Sequence, residues 1–196
     1  SAEQVLSRFS FITQLNLDTL LIKKGRWNVD DWLFIPSGFK LVIPEGTVLR
    51  FHSSVGLVAR GSVLINGTED EPVILRGYGV GANNSSWQGV FVSNTREASV
   101  WSNVMVLDTA GISKDGWNVS AGVTFYQAEA VLEHVSFLRN SCEDALNIVR
   151  SKFRLDSVKI KNALSDGFDA DFSEGFVSGG RFEGVGSVGG GDAIDV

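Results

Sequence analysis

The sequence predicts an all-β chain wound as a parallel β-helix, a solenoid of about 22- to 26-residue turns. Three observations carry that expectation. From Leu20 onward the chain is a series of short β-rich runs with no sustained apolar spacing of three and four. The gaps between runs are often too short for helical crossovers. The second half repeats itself.

The first dozen residues are the exception, and an amphipathic helix is expected only around Ala2 to Phe11, as part of a cap over residues 1–19. Residues 20–196 then read as turns: TLLIKKGRWNV, DWLFIP, FKLVIP, GTVLRF, VGLVARGSVLING, PVILRG, WQGVFVS and SVWSNVMV. No tight antiparallel hairpin is expected among them, so short corners between parallel strands must join them. Three later segments, 121–144, 145–166 and 167–192, superpose with lengths of 24, 22 and 26 residues, and AIDV opens a fourth. Leu132, Val135, Phe137 and Asn140 are answered by Leu155, Val158, Ile160 and Asn162. An earlier copy lies 31 residues before, Trp101 matching Leu132, with the excess in GISKDGWNVS. A turn of three strands and three corners needs about this length, and its alternate residues stack into an apolar core.

Composition bounds the function. With 196 residues, 43% of them hydrophobic and 20% charged, the chain suits a single core-bearing domain, 1–196. A net charge of −6 and a pI near 4.9 oppose nucleic acid as a partner. No apolar run is long enough for membrane insertion, and SAEQVLSRFSF lacks the features of a signal peptide. Cys142 stands alone and is read as structural. Sequons at Asn66, Asn83, Asn84 and Asn118 favour export slightly. The last residues open a turn without a polar cap, so a longer protein or a partner chain is expected at that end.

IPSGFKLVIPEGTVLRF, GSVLINGTEDEPVILRG and SSWQGVFV together resemble the opening turns of the right-handed parallel β-helix (pectin-lyase-like) superfamily, over roughly Leu33 to Val92. More loosely, Gly191-Asp192-Ala193-Ile194-Asp195 resembles a GDAID element of bacterial exported β-helix segments. The resemblance implies an extracellular, cell-surface or periplasmic module. Its superfamily includes polysaccharide lyases, glycoside hydrolases, epimerases and adhesins, so the implied chemistry is open. The Asn-Thr-Asp, Asp-Asp and Gly-His-Gly pattern of its pectin hydrolases is absent.

The residues themselves offer one repeated constellation: Asp144-Ala-Leu-Asn147, Asp166-Gly-Phe-Asp169 and Asp192-Ala-Ile-Asp195. If the apolar third residue points inward, Asn147, Asp169 and Asp195 project outward in one column, with Asp171 beside Asp169. Carboxylates stacked about 4.8 Å apart repel, so a proton or a cation must sit among them. Asp169, Asp171 and Asp195 are therefore catalytic candidates, and Asp166, Asp169, Asp192 and Asp195 a possible calcium set. Corner-forming hydrogen bonds are the plainer role for the same residues. Arg150, Lys152 and Arg154 alternate in the neighbouring turn, and related lyases use such a base beside calcium. Trp87 and Trp117 fall in or near loops where an indole can stack on a sugar. With Arg150, Lys152 and Asn147 they are the substrate-binding candidates. GYGVGA (77–82) and GVGSVGGG (184–191) read as corners, not phosphate loops, because no helix follows them. The expectation is an exported module with a polysaccharide- or glycan-interacting face; the alternatives are a polysaccharide hydrolase or lyase and a structural scaffold.

Overall fold

In the computed structural model, which describes residues 1–78, 86–187 and 190–196, strands dominate and one short helix precedes them. The helix α1 (Ala2–Arg8) begins with a capping box, in which the Ser1 hydroxyl accepts from Gln4 N–H and the Gln4 side chain accepts from the Ser1 amine. Strand β1 (Ile12–Asn16) follows and runs antiparallel to β2 (Thr19–Ile22). Val5, Phe9, Phe11 and Ile12 are buried here and join the core.

The chain then makes seven passes. The first holds β2, β3 (Arg26–Val29) and β4 (Leu33–Ile35). The second holds β5 (Lys40–Pro44), β6 (Val48–Phe51) and β7 (Leu57–Ala59), and the third β8 (Val63–Asn66), β9 (Val73–Gly77) and β10 (Val90–Ser93). The fourth holds β11 (Ser99–Leu107), β12 (Ile112–Lys114), β13 (Trp117–Val119) and β14 (Val123–Tyr126), and the fifth β15 (Ala130–Leu138) and β16 (Asp144–Val149). The sixth holds β17 (Lys152–Asp156), β18 (Lys159–Lys161) and β19 (Asp166–Asp171), and the last β20 (Glu174–Ser178), β21 (Arg181–Glu183) and β22 (Ile194–Asp195).

Apart from β12 and β13, the strands pair in parallel with their equivalents one pass on, which creates three faces. The first face runs β2, β5, β8, β11, β15, β17, β20. The second runs β3, β6, β9, β11, β15, β18, β21. The third runs β4, β7, β10, β14, β16, β19, β22. The long strands β11 and β15 serve the first face with one half and the second with the other, and their mutual ladder skips Asn103 and His134.

Alternate positions on every face are buried and stack on their equivalents. On the first face Ile22, Ile43, Ile65, Trp101, Leu132 and Leu155 form one such column, each at most 1% exposed. Fully burying a side chain of this size contributes about 1.5–3 kcal/mol, so these columns dominate the stability of the fold. Ser99 replaces an apolar residue in the adjoining column and keeps its hydroxyl satisfied by accepting from Val63 N–H at 3.0 Å. The inferred matches of Trp101 with Leu132, and of Leu132 with Leu155, are register pairs.

The corners follow a rule that the sequence did not announce. Asn103, His134, Ser157 and Gly179 occupy equivalent positions between the first and second faces. Asp108, Arg139, Asn162 and Gly184 do so after the second face, and Asn94, Gln127, Arg150 and Phe172 after the third. All twelve have φ between 49° and 63°, the left-handed region. One such residue turns the chain sharply while its N–H still reaches the next pass, as Arg139 N–H does to Lys161 O at 2.9 Å. This register corrects one expectation: Asn162 is the equivalent of Arg139, not of Asn140, whose amide instead donates to Cys142 O inside the core. Arg139 also binds Asp108, its equivalent one pass earlier, through two hydrogen bonds of 2.8 and 3.1 Å.

A second correction concerns GISKDGWNVS. It forms the antiparallel hairpin of β12 and β13, turned by Asp115 and Gly116, both at positive φ. The sequons at Asn83 and Asn84 and most of GYGVGA lie outside the described residues, as does part of GVGSVGGG. Asn66 and Asn118 are exposed.

The left-handed columns generate a prediction. Replacing exposed His134 with a β-branched residue, His134→Val, lowers stability by about 1–2 kcal/mol, whereas His134→Gly does not, because only glycine adopts this φ freely. Urea unfolding of both variants is the check; equal losses would mean that the corner imposes no backbone demand.

Candidate functional site

The third face carries the constellation singled out from the sequence. Its outward row in register is Phe34, Val58, Phe91, Thr124, Asn147, Asp169 and Asp195. The expected column of Asn147, Asp169 and Asp195 therefore forms, and Asp171 lies two residues beyond Asp169 on the same strand face. Leu146 and Phe168 beside it are fully buried, as the alternation requires.

Within the column, Asn147 Nδ2 donates to Asp169 Oδ2 at 3.1 Å, while Asn147 Oδ1 is buried without a partner. The pKa of Asp169 is raised by burial first and then by the charges of Asp171 and Asp195, the mutual repulsion anticipated for stacked carboxylates. The more perturbed acid is one that sequence reasoning passed over. Asp144 is only 4% exposed, and its carboxyl is pushed up to about 7 by burial, then by Asp169, Glu143 and Asp166. Its hydrogen bond with Asn147 opposes the rise. Asp144 stands first in its copy of the repeated motif, as Asp166 and Asp192 do in theirs. The usable signal was its position between Cys142 and Ala145, both buried.

The remaining aspartates are less convergent. Asp166 Oδ1 accepts from Asp192 N–H at 2.7 Å, so this carboxylate fastens one pass to the next in the corner-forming role. Asp192 and Asp195 are exposed. Among the described residues no group of three or more His, Cys, Asp or Glu side chains is arranged to hold a metal ion, and the expected calcium set of Asp166, Asp169, Asp192 and Asp195 is accordingly not gathered into one. Cys142 is buried, and burial pushes its thiol up to about 11, which suits an inert core residue.

The other half of the row holds two aromatic residues, Phe34 and Phe91, alternating with the buried Val58 and Thr124. Trp32 stacks on Phe34 with ring centres 5.7 Å apart, and Trp117 meets Phe91 edge-on at 5.0 Å. The β12 and β13 hairpin brings Trp117 here: Ser113 N–H donates to Gln88 Oε1 at 2.6 Å, and Lys114 Nζ lies 5.7 Å from the Trp32 ring centre. Trp117 is 38% and Phe34 44% exposed, so both present ring surface to solvent.

Two substrate-contact expectations are revised. Trp87 is fully buried, stacked on Phe51 at 4.1 Å with its indole N–H donated to Leu107 O, and no ligand can reach it. Arg150 precedes β17 instead of lying on it: it is a left-handed corner residue whose guanidinium covers the Phe172 ring at 5.6 Å. Its backbone N–H reaches Asp171 O at 2.8 Å, so it remains close to the acidic row. Lys152 opens β17, exposed and in register with Glu174. Among the described residues no helix is long and apolar enough to cross a membrane.

The Asp144 environment makes stability depend on pH. A carboxyl whose folded pKa lies above its ordinary value of 3.8 holds its proton more tightly in the folded state. Stability is therefore complete below that value, falls as pH rises toward about 7, and is level beyond. The fall amounts to about 2–4 kcal/mol. Asp144→Asn removes most of it, as urea midpoints measured from pH 4 to 8 will record; an unaltered pH slope in the variant would assign the effect elsewhere. No family model, curated protein or solved structure matches the chain.

Proposed function

We propose that the chain is a right-handed parallel β-helix of the pectin-lyase-like kind, an exported or cell-surface module whose third face binds a polysaccharide. Parallel pairing on all three faces, offsets of 22 or 23 residues over most of the later passes and 26 between β19 and β22, and one left-handed residue at each corner column support the fold. The observation that carries the function is the outward row, aromatic at one end and amide and carboxylate at the other. A sugar ring offers apolar C–H faces to Phe34 and Trp117 and hydroxyl groups to Asn147 and Asp169, contact points set apart along the row by the buried Val58 and Thr124.

One observation favours a polysaccharide hydrolase or lyase as the second reading. Asp144, with a pKa near 7, is half-protonated at neutral pH beside Asp169, and a proton-bearing acid next to a carboxylate is what glycosidic cleavage uses. Against it, the concave grooves of about 290 and 540 Å³ lie elsewhere, at the corner after the third face and beside α1.

A panel of neutral and acidic polysaccharides, with and without calcium, separates these readings. Binding without cleavage, weakened about tenfold by Trp117→Ala or Asp169→Asn, is the expected result. Cleavage lost in Asp169→Ala would establish the enzyme, and absence of binding to every polymer would leave a scaffold.

A further inference from the structure

The last pass differs from the first in what covers it. At the opening end β1 lies antiparallel against β2, and the inward residues Leu20, Ile22, Leu33 and Ile35 are at most 1% exposed. At the other end β20, β21 and β22 each have, among the described residues, a partner strand on one side only. Their inward positions are open too: Val177, opposite Leu155, is 40% exposed, and Ile194, opposite Phe168, 41%. Phe176, on the outer side of β20, is 79% exposed. An edge of this kind offers free backbone groups beside apolar surface, which is what a further strand binds.

The middle strand of that edge selects its partner. Arg181 N–H donates to Val158 O at 2.9 Å, and Glu183 O accepts from Asn162 N–H at 2.8 Å, so both residues turn their backbone groups toward the sixth pass. Alternation along the strand turns the Phe182 N–H and C=O the other way, to the free edge. The side chains alternate as well: Phe182 is half-buried opposite the core residue Ile160, while Arg181 and Glu183 project outward opposite Lys159 and Lys161. Arg181 and Glu183 pair with each other along the strand, and Glu183 also with Lys161 at 3.5 Å. The segment Arg-Phe-Glu thus carries its free amide and carbonyl on the central residue and opposite charges on either side. Turned about a two-fold axis through Phe182, it is its own complement. An antiparallel copy sets Phe182 against Phe182 as a hydrogen-bonded pair and Arg181 against Glu183 on both sides of the axis.

We propose that this edge binds the same edge of a second copy of the chain, forming a closed two-fold dimer joined through the last passes. β21 pairs antiparallel with β21 of the second copy. The same axis brings each β20 alongside β22 of the other chain, so Val177 and Ile194 cover one another across the junction. A second copy is the occupant because the charge order of β21 is self-complementary about Phe182, a property that matters only when the strand meets itself. The opening end offers no equivalent surface, since β1 covers the edge of β2 and the core beneath is buried, so association stops at two chains.

Sedimentation velocity of the 196-residue chain over a wide concentration range tests the proposal. A species of twice the 21.2 kDa chain mass is expected as concentration rises. Arg181→Glu and Glu183→Arg each place like charges across the axis, and each weakens dimerisation about tenfold or more. An equimolar mixture of the two variants restores association as a heterodimer, and the double exchange, Arg181→Glu with Glu183→Arg, restores it in a single chain. Damage to the fold alone would not give that recovery. The proposal is overturned if the chain is monomeric throughout, if its mass grows beyond two copies, if either single variant dimerises as the parent does, or if the mixture stays monomeric. Arg181 and Glu183 lie on the second face, so failure here is distinct from failure of polymer binding by the third.

Discussion

Every pass of this chain pairs with its neighbours through hydrogen bonds that run along the stack, and that pairing obliges equivalent residues to meet. Once Leu132 is opposite Leu155, the alternation of the strand decides which side chains join the core and which face water. A slip of one residue would carry the apolar column outside and the charged row inside. The core columns and the outward row are thus two results of one register, and the candidate chemistry cannot be altered independently of the packing beneath it.

The same constraint explains the electrostatics. Stacking equivalent residues places like side chains about one strand spacing apart, whatever their charge. Where the residue is leucine or isoleucine, this builds a core; where it is aspartate, it builds repulsion, relieved in different ways along the chain. Asp166 accepts from Asp192 N–H, Asp169 accepts from the Asn147 amide, and Asp108 is held by Arg139. Asp144 has neither a cation nor exposure to relieve it, and its carboxyl is pushed up to about 7 instead.

Much of this was legible in the sequence because it is written in apolar spacing. The strands, their parallel pairing, the equivalence of Trp101 with Leu132 and the Asn147, Asp169, Asp195 column all follow from alternation and repeat length. What escaped was set by contacts between parts that no periodicity relates. Trp87 follows a Gly, Asn and Ser-rich stretch and has the local look of a loop residue, yet Phe51 and Leu107 enclose it. The left-handed corners were hidden because glutamine, histidine, arginine and phenylalanine fill them as well as asparagine and glycine. The Asp115-Gly116 turn was readable as a hairpin signal, but it sat within a stretch treated only as excess length. Asp144 needed knowledge of burial that composition does not contain.

The third face advances by one position for each pass, and the corners let passes differ in length without disturbing it. The hairpin of β12 and β13 enlarges the fourth pass, yet Phe91, Thr124 and Asn147 remain in register above and below it. Such a surface is a ruler whose divisions are set by the backbone. Gaining or losing a whole pass would change its reach by about 4.8 Å while leaving every other division where it was. If the proposed polymer binding holds, its valency is a matter of chain length, separable from the identity of any single contact.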